Sequence, residues 1–125
     1  KGRYFPVRFD VPTVDGWDWA RNAYDAVVAV FIQFAPPPMR ARIFEGIKRT
    51  LKPGGMLMLH GYRPEQITYG TGGPPHAENM YTEEVLREGF GDMRILCLAA
   101  YDCEIEEGKG HAGMSALIDL VAVKR

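Results

Sequence analysis

Histidine and cysteine are the residue types in this sequence that most readily act as bases or bind metal ions. The chain of 125 residues has three histidines and two cysteines, which are His60, His76, His111, Cys97 and Cys103. Their spacing matches no zinc-binding pattern and the cysteines form no C-x-x-C pair, so we predict no metal site. His111, in the segment EGKGHAG, can act as a base or a hydrogen-bond partner near neutral pH. A turn residue bonded to the backbone is the alternative for His111, and His60 is expected to end a buried strand.

Glycine-rich segments can hold a phosphate group, but the two in this chain lack the required pattern. Gly108-Lys109 has neither the hydroxyl residue after the lysine nor the glycine spacing of a P-loop. The segment that begins at Gly70 (GTGG) is followed by two prolines and opens no helix, so it does not fit the G-x-G-x-x-G fingerprint of dinucleotide folds. We therefore predict no phosphate-binding loop.

Composition and charge narrow the class of protein. The chain is 46% hydrophobic and 25% charged, as in an ordinary globular domain. A net charge of −1 gives no general attraction to nucleic acid or to an anionic membrane, so we expect neither as a partner. The longest apolar run, residues 26–32, is far shorter than the roughly 20 residues that span a bilayer. With few cysteines and no signal peptide, a cytoplasmic protein is expected, and a start at Lys1 without Met fits a fragment of a longer chain.

Hydrophobic patterning predicts alternating strands and helices. Strands are expected at residues 4–10, 24–31, 56–59, 93–101 and 114–123, and amphipathic helices at 39–51 and directly after Thr82 as N-cap. The valine-rich run YDAVVAVF at 24–31 does not alternate, which predicts a strand buried on both faces. Residues 62–79 are expected to form a long loop. Because the last two strands pair most simply as a hairpin, we predict an α/β fold with a mostly parallel sheet and a C-terminal antiparallel strand.

The motifs, taken in order, resemble a known family. YDAVVAVF, LKPGG and MLMLHGY are similar to the second half of class I S-adenosylmethionine-dependent methyltransferases, and PEQITYGTGGPP with EEGKGHAGMSALIDLVA looks like their tellurite-resistance (TehB-like) branch. The resemblance covers essentially the whole chain. It implies one domain over residues 1–125 with an incomplete Rossmann-like methyltransferase sheet. It also implies S-adenosyl-L-methionine as the cofactor and a small molecule as the methyl acceptor.

The sequence departs from this family at its beginning. The family's glycine-rich first strand and the acidic residue that binds the ribose do not occur here, so we expect the chain alone to be incomplete for cofactor binding and inactive. Without those strands, residues 24–31 would have an unpaired apolar edge. Such an edge invites pairing with another chain, which predicts either self-association or a longer native protein.

The resemblance also implies cofactor-binding residues at the ends of strands, where ligands of α/β sheets gather. Asp10 occupies the position that contacts the adenine amino group, and Val11 follows it. Phe31 and Ile32 would line the methionine end of the cofactor. A solvated turn for Asp10, and a place in the core for Phe31 and Ile32, are the alternatives.

Substrate-binding residues are expected at Gln33, Tyr62, Tyr69 and His111. The alternatives are a surface position for Gln33 and a packed loop for the two tyrosines. No catalytic residue is predicted, because a sulfonium is already a good leaving group and the protein mainly has to position the acceptor and exclude water. Two other classes stay open: a fragment of a Rossmann-type oxidoreductase, and a non-catalytic interaction module or degenerate methyltransferase that associates through its open sheet edge.

Overall fold

A four-stranded sheet organises the chain in the computed structural model, which describes residues 18–70, 76–106 and 112–125. The strands are β1 (Tyr24–Val30), β2 (Leu51–Tyr62), β3 (Arg94–Glu106) and β4 (Ala112–Val123). The helices are α1 (Pro37–Thr50), α2 (Glu65–Tyr69) and α3 (Glu83–Phe90), and a 3₁₀ turn covers Ala77–Asn79. The predicted strand at residues 4–10 lies outside the described residues.

The strands follow the order β1-β2-β4-β3 across the sheet. β1 and β2 are parallel, whereas β4 runs antiparallel to both of its neighbours, β2 and β3. Three strands therefore share one direction and β4 alone among the described strands is reversed. This confirms the predicted mostly parallel sheet and its closing antiparallel hairpin. The register places Val30 beside His60 and His60 beside Asp119, so that these three residues are neighbours on adjacent strands.

Helices α1 and α3 pack on one face of the sheet and form the main core. The sheet contributes Leu57, Leu59, Ile118, Leu120 and Ala122, and the helices contribute Ile43, Phe44, Ile47, Leu86 and Phe90. The rings of Phe44 and Phe90 lie 4.5 Å apart between their centroids. Gly89 permits this approach, because a Cβ there would lie 2.5 Å from a Phe44 ring carbon. Burial of each such side chain contributes about 1.5–3 kcal/mol to stability.

Helix α1 confirms the predicted amphipathic helix, although it begins two positions earlier than expected. Pro37 stands at its first position, where proline costs no hydrogen bond and already has a helical φ. Lys48 and Arg49 lie in its last turn, where they complement the partial negative charge of the helix end. β2 starts directly after the helix, and Gly54, with a φ of 85°, lies where the pairing of β2 with β1 is irregular, within the LKPGG segment.

Helix α3 begins as the sequence predicts, whereas the long loop before it is only partly a loop. The Thr82 hydroxyl accepts a hydrogen bond from the Val85 N–H at 3.1 Å, which confirms the predicted N-cap. In the region of residues 62–79, helix α2 and the 3₁₀ turn occupy positions that were expected to lack regular structure. The prediction failed there because a helix of five residues is too short to show a hydrophobic period.

β1 is a strand as predicted, but the prediction that both of its faces are buried is wrong. Ala29 is buried at 5% exposure, while Val28 is 62% and Val30 53% exposed. The reason is that α1 and α3 cover only one face of the sheet. We call the opposite face the open face; Val28, Val30, Met58, His60 and Asp119 point to it. Among the described strands β1 pairs only with β2, so no described strand occupies its outer edge, which we call the open edge.

Membrane, disulfide and metal features can be stated for the described residues. No helix within them is long and apolar enough to cross a membrane. Cys97 and Cys103 are free and exposed thiols. Within the same residues, no three or more His, Cys, Asp or Glu side chains are grouped so that they could hold a metal ion.

Candidate functional site

The carboxyl end of β1 carries an aromatic cluster of Phe31, His60 and Tyr62. Phe31 directly follows the strand and has a φ of 53°, a conformation that costs energy for a residue with a bulky side chain. Its N–H donates to the His60 carbonyl at 2.9 Å, which holds the turn. The Phe31 ring stacks on Tyr62 at 4.6 Å between centroids and meets the edge of His60 at 4.9 Å. This strained turn therefore places a ring where the parallel strands β1 and β2 end.

Gln33 fixes the segment after β1 to the end of β2. Its side-chain amide donates to the Tyr62 carbonyl at 2.7 Å and accepts from the Tyr62 N–H at 2.7 Å. The residue is only 2% exposed. Gly61 gives the amide room, since a Cβ at that position would lie 2.9 Å from Gln33 Oε1. The alternative of a surface position for Gln33 is wrong, because the amide satisfies two buried backbone groups.

A hydrogen-bonded network of His60, Asp119 and Tyr101 lies beside the aromatic cluster. His60 Nδ1 bonds to one carboxylate oxygen of Asp119, and the Tyr101 hydroxyl donates to the other oxygen at 2.8 Å. The three residues come from β2, β4 and β3 respectively. Desolvation and the Asp119 carboxylate raise the pKa of Tyr101 to about 12, so the phenol stays protonated as a donor. His60 lies inside β2 rather than at its end, which corrects the expectation for this residue.

Arg63 follows the aromatic cluster and joins three parts of the sheet. Its guanidinium donates to the carbonyls of Leu117 at 3.1 Å and Tyr101 at 3.2 Å, and it forms an ion pair with Asp102. These bonds hold Arg63 at the sheet, so its guanidinium is not a free anion-binding group.

Tyr69 is the last residue of α2 and is 40% exposed.

The structure brings together some of the predicted site residues. Phe31 and Tyr62 stack on each other, and Gln33 bonds to the backbone of Tyr62. Ile32 is partly buried and packs against the main core. Tyr69 belongs to a different element, α2. The predicted residues Asp10, Val11 and His111 lie outside the described residues, so their roles stay predictions.

Sequence reasoning missed the network formed by His60, Asp119 and Tyr101. One signal for it was present: His60 and Asp119 are polar residues inside the apolar runs MLMLH and ALIDLVAV. Polar groups within such strands usually have hydrogen-bond partners when they are partly buried. What the sequence did not provide was the register that makes these two residues neighbours.

Several solved structures with the same fold are methyltransferases. TehB from Haemophilus influenzae has a TM-score of 0.65 at 16% identity, over 87% of this chain and 40% of TehB. A SAM-dependent methyltransferase from Methanosarcina mazei has a TM-score of 0.70 at 17% identity, over 93% of this chain and 66% of that protein. The N-methyltransferase NodS from Bradyrhizobium japonicum, in complex with S-adenosyl-L-homocysteine, has a TM-score of 0.63 at 10% identity, over 90% of this chain and 52% of NodS.

These comparisons confirm the predicted fold class and confirm the resemblance to class I methyltransferases at the level of the fold. No protein-family model and no curated protein matches the sequence. This chain spans between 40% and 66% of the three methyltransferases. It therefore shares the fold of a part of each of these proteins.

Proposed function

We propose that this chain takes part in S-adenosyl-L-methionine-dependent methyl transfer to a small molecule, within a longer protein. The proposal rests on one observation: the turn at Phe31 places an aromatic ring where the parallel strands β1 and β2 end. Ligands of α/β sheets bind at the carboxyl ends of the strands. The likeness of the fold to three methyltransferases, one of them crystallised with S-adenosyl-L-homocysteine, supports the assignment.

The described residues fit one end of such a cofactor. A sulfonium is a cation, and cations are attracted to aromatic faces and to carboxylates. Phe31 is partly exposed just after β1, and His60, whose ring lies beside Phe31, bonds to the Asp119 carboxylate. Phe31 would therefore hold the methionine end of the cofactor, together with Ile32 beside it. Asp10 and Val11 remain the proposed residues for the adenine end.

The chemistry asks little of the protein beyond positioning. The cofactor, when bound, supplies a methyl group on a good leaving group. The side chains of this chain have to orient the acceptor along the line of displacement and exclude water from the reaction. Phe31 is held in place for this by Tyr62, and Tyr62 by the buried amide of Gln33. Tyr69 and His111 are proposed to contact the acceptor.

Calorimetry of the full-length protein with S-adenosyl-L-homocysteine tests this function. We expect binding, and a Phe31→Ala variant should lose about tenfold in affinity because the aromatic face is gone. Phe34→Ala is the matched control, since Phe34 is 55% exposed and should leave the affinity unchanged. Absence of binding by the folded full-length protein would contradict the proposal.

The open edge of β1 favours a second candidate, a non-catalytic module that binds a partner by adding a strand. Absence of binding to S-adenosyl-L-homocysteine together with formation of a stable dimer would favour this candidate. The oxidoreductase alternative is disfavoured by the reversed strand β4 between β2 and β3.

A further inference from the structure

The network of His60, Asp119 and Tyr101 holds the imidazole in one orientation. Asp119 bonds to Nδ1 of His60, and a carboxylate can only accept, so Nδ1 carries the proton. The second Asp119 oxygen accepts from the Tyr101 hydroxyl, which fixes the carboxylate in turn. In the neutral imidazole, this arrangement leaves Nε2 with its lone pair, as in other sites where a carboxylate orients a histidine base.

The free nitrogen belongs to a side chain on the open face. Nε2 of His60 has no hydrogen-bond partner among the described residues, and about a third of the side chain is exposed. A depression of about 340 Å³ on the open face is lined by His60 and Asp119 together with apolar side chains, namely Val28, Val30, Met58 and Val121, among others. Phe31, proposed above for the methionine end of the cofactor, touches the edge of the His60 ring. The His60 side chain therefore lines an apolar depression and lies beside the ring that is proposed to hold the methionine end of the cofactor.

We propose that His60 is the general base of the reaction and that the methyl acceptor is a small apolar thiol. This inference rests on the proposed function. Asp119 and Tyr101 are positioning residues that orient the imidazole so that, in its neutral form, Nδ1 carries the proton and Nε2 has the lone pair. A base is useful only when the attacking atom carries a proton at neutral pH, which excludes acceptors that are already anions. The apolar lining of the depression favours an uncharged acceptor, and among uncharged acceptors thiols lose their proton most readily.

The step balances without any further reactant. The thiol sulfur forms a bond to the methyl carbon, the bond between that carbon and the sulfonium sulfur breaks, and its electron pair stays on the departing sulfur. The S–H proton passes to Nε2 of His60. The positive charge of the sulfonium is thus replaced by that of the imidazolium, which the Asp119 carboxylate stabilises. Transfer of this proton to water restores the base.

Activity of the full-length protein toward an aliphatic thiol and toward a nitrothiophenolate separates the role of the base from other effects. We expect His60→Gln to lower kcat with the aliphatic thiol by about 100-fold or more, as for loss of a general base. With the nitrothiophenolate, which is already ionised, the same variant should keep a rate within about threefold of the parent, because no proton has to be removed. His76→Gln is the matched control, since His76 is exposed and lies outside the network.

Nitrogen-15 NMR of the imidazole gives a readout that does not depend on activity. We expect the proton of neutral His60 on Nδ1 in the parent protein. Asp119→Asn should weaken this preference or move the proton to Nε2, because the amide offers a donor as well as an acceptor. A parent protein with its proton on Nε2 would overturn the proposal, even if the variants failed to fold.

The results distinguish this inference from the proposed function. Binding of S-adenosyl-L-homocysteine with equal rates for the parent and His60→Gln on the aliphatic thiol would overturn the role of His60 and leave methyl transfer intact. Equal losses on both thiols would also overturn it, since they would indicate a structural role. A folded protein that binds no S-adenosyl-L-homocysteine would overturn the proposed function itself and the inference with it.

Discussion

At the scale of single residues, Gln33 shows how a polar side chain stabilises the turn beside the proposed site. Its amide pairs with both backbone groups of Tyr62 in a buried environment. Tyr62 in turn supports the ring of Phe31. The strained φ of Phe31 is therefore maintained by an amide two residues away along the chain, and the site depends on a residue that does not have to touch a ligand.

Replacement of Gln33 by alanine should lower the free energy of unfolding by about 2–4 kcal/mol, because it leaves a buried N–H and a buried carbonyl without partners. Urea unfolding followed by circular dichroism measures the change. Phe34→Ala, at the exposed neighbouring position, should stay within about 0.5 kcal/mol of the parent. A Gln33→Ala midpoint equal to that of the parent would show that water or a shifted backbone satisfies the two groups.

The contact between His60 and Asp119 could not be predicted from the sequence. The two residues are 59 positions apart, and they become neighbours only through the register of β2 and β4. Nothing local fixes that register, since it depends on the packing of α1 and α3 against the other face of the sheet. The position of Tyr101 depends in addition on the register of β3 and β4. The three residues could be read from the sequence, but their hydrogen bonds to one another could not be predicted.

At the scale of elements, helix ends were predictable because their signals are local. Thr82 caps α3 through a bond to an N–H three residues ahead, and Glu83 and Glu84 follow in the first turn, where their charge suits the helix dipole. The burial of β1 was not predictable in the same way. The sequence of β1 predicts a hydrophobic strand, whereas the exposure of its side chains depends on which helices cover the sheet.

Loss of the N-cap should have a modest and measurable cost. Thr82→Ala is expected to reduce the free energy of unfolding by about 1 kcal/mol, since the Val85 N–H loses its acceptor. Thr82→Ser keeps the hydroxyl and should recover most of that stability. Chemical denaturation of the three proteins checks the order, and an alanine variant as stable as the serine variant would argue against a role for the cap.

At the scale of the whole molecule, the open face and the open edge of β1 leave apolar surface in contact with solvent. Val28 and Val30 are more than half exposed, and Met58 is 43% exposed. Contiguous apolar surface of this kind and unpaired strand edges both promote association. The family resemblance led us to expect an unpaired edge. The uncovered face was not expected, because burial of both faces was inferred from the lack of alternation in YDAVVAVF.

We expect the 125-residue chain to self-associate through this surface. Val28→Lys should weaken association at least about tenfold, because a charge on the open face would have to be desolvated in the complex. Ala41→Lys adds the same charge on the exposed side of α1 and should leave association unchanged. Sedimentation velocity over a range of concentrations measures both, and a parent chain that sediments as a monomer throughout would contradict the expectation.

The position of β4 has a consequence for how the molecule is made. The strand comes after β3 in the chain yet lies between β2 and β3 in the sheet. During synthesis, β1 and β2 can pair as soon as they leave the ribosome, whereas β3 must wait as a separate strand until its partner emerges. The described sheet is therefore completed in a late step, and a premature stop before residue 112 would leave the β1–β2 pair and a single strand, β3, with no strand between them.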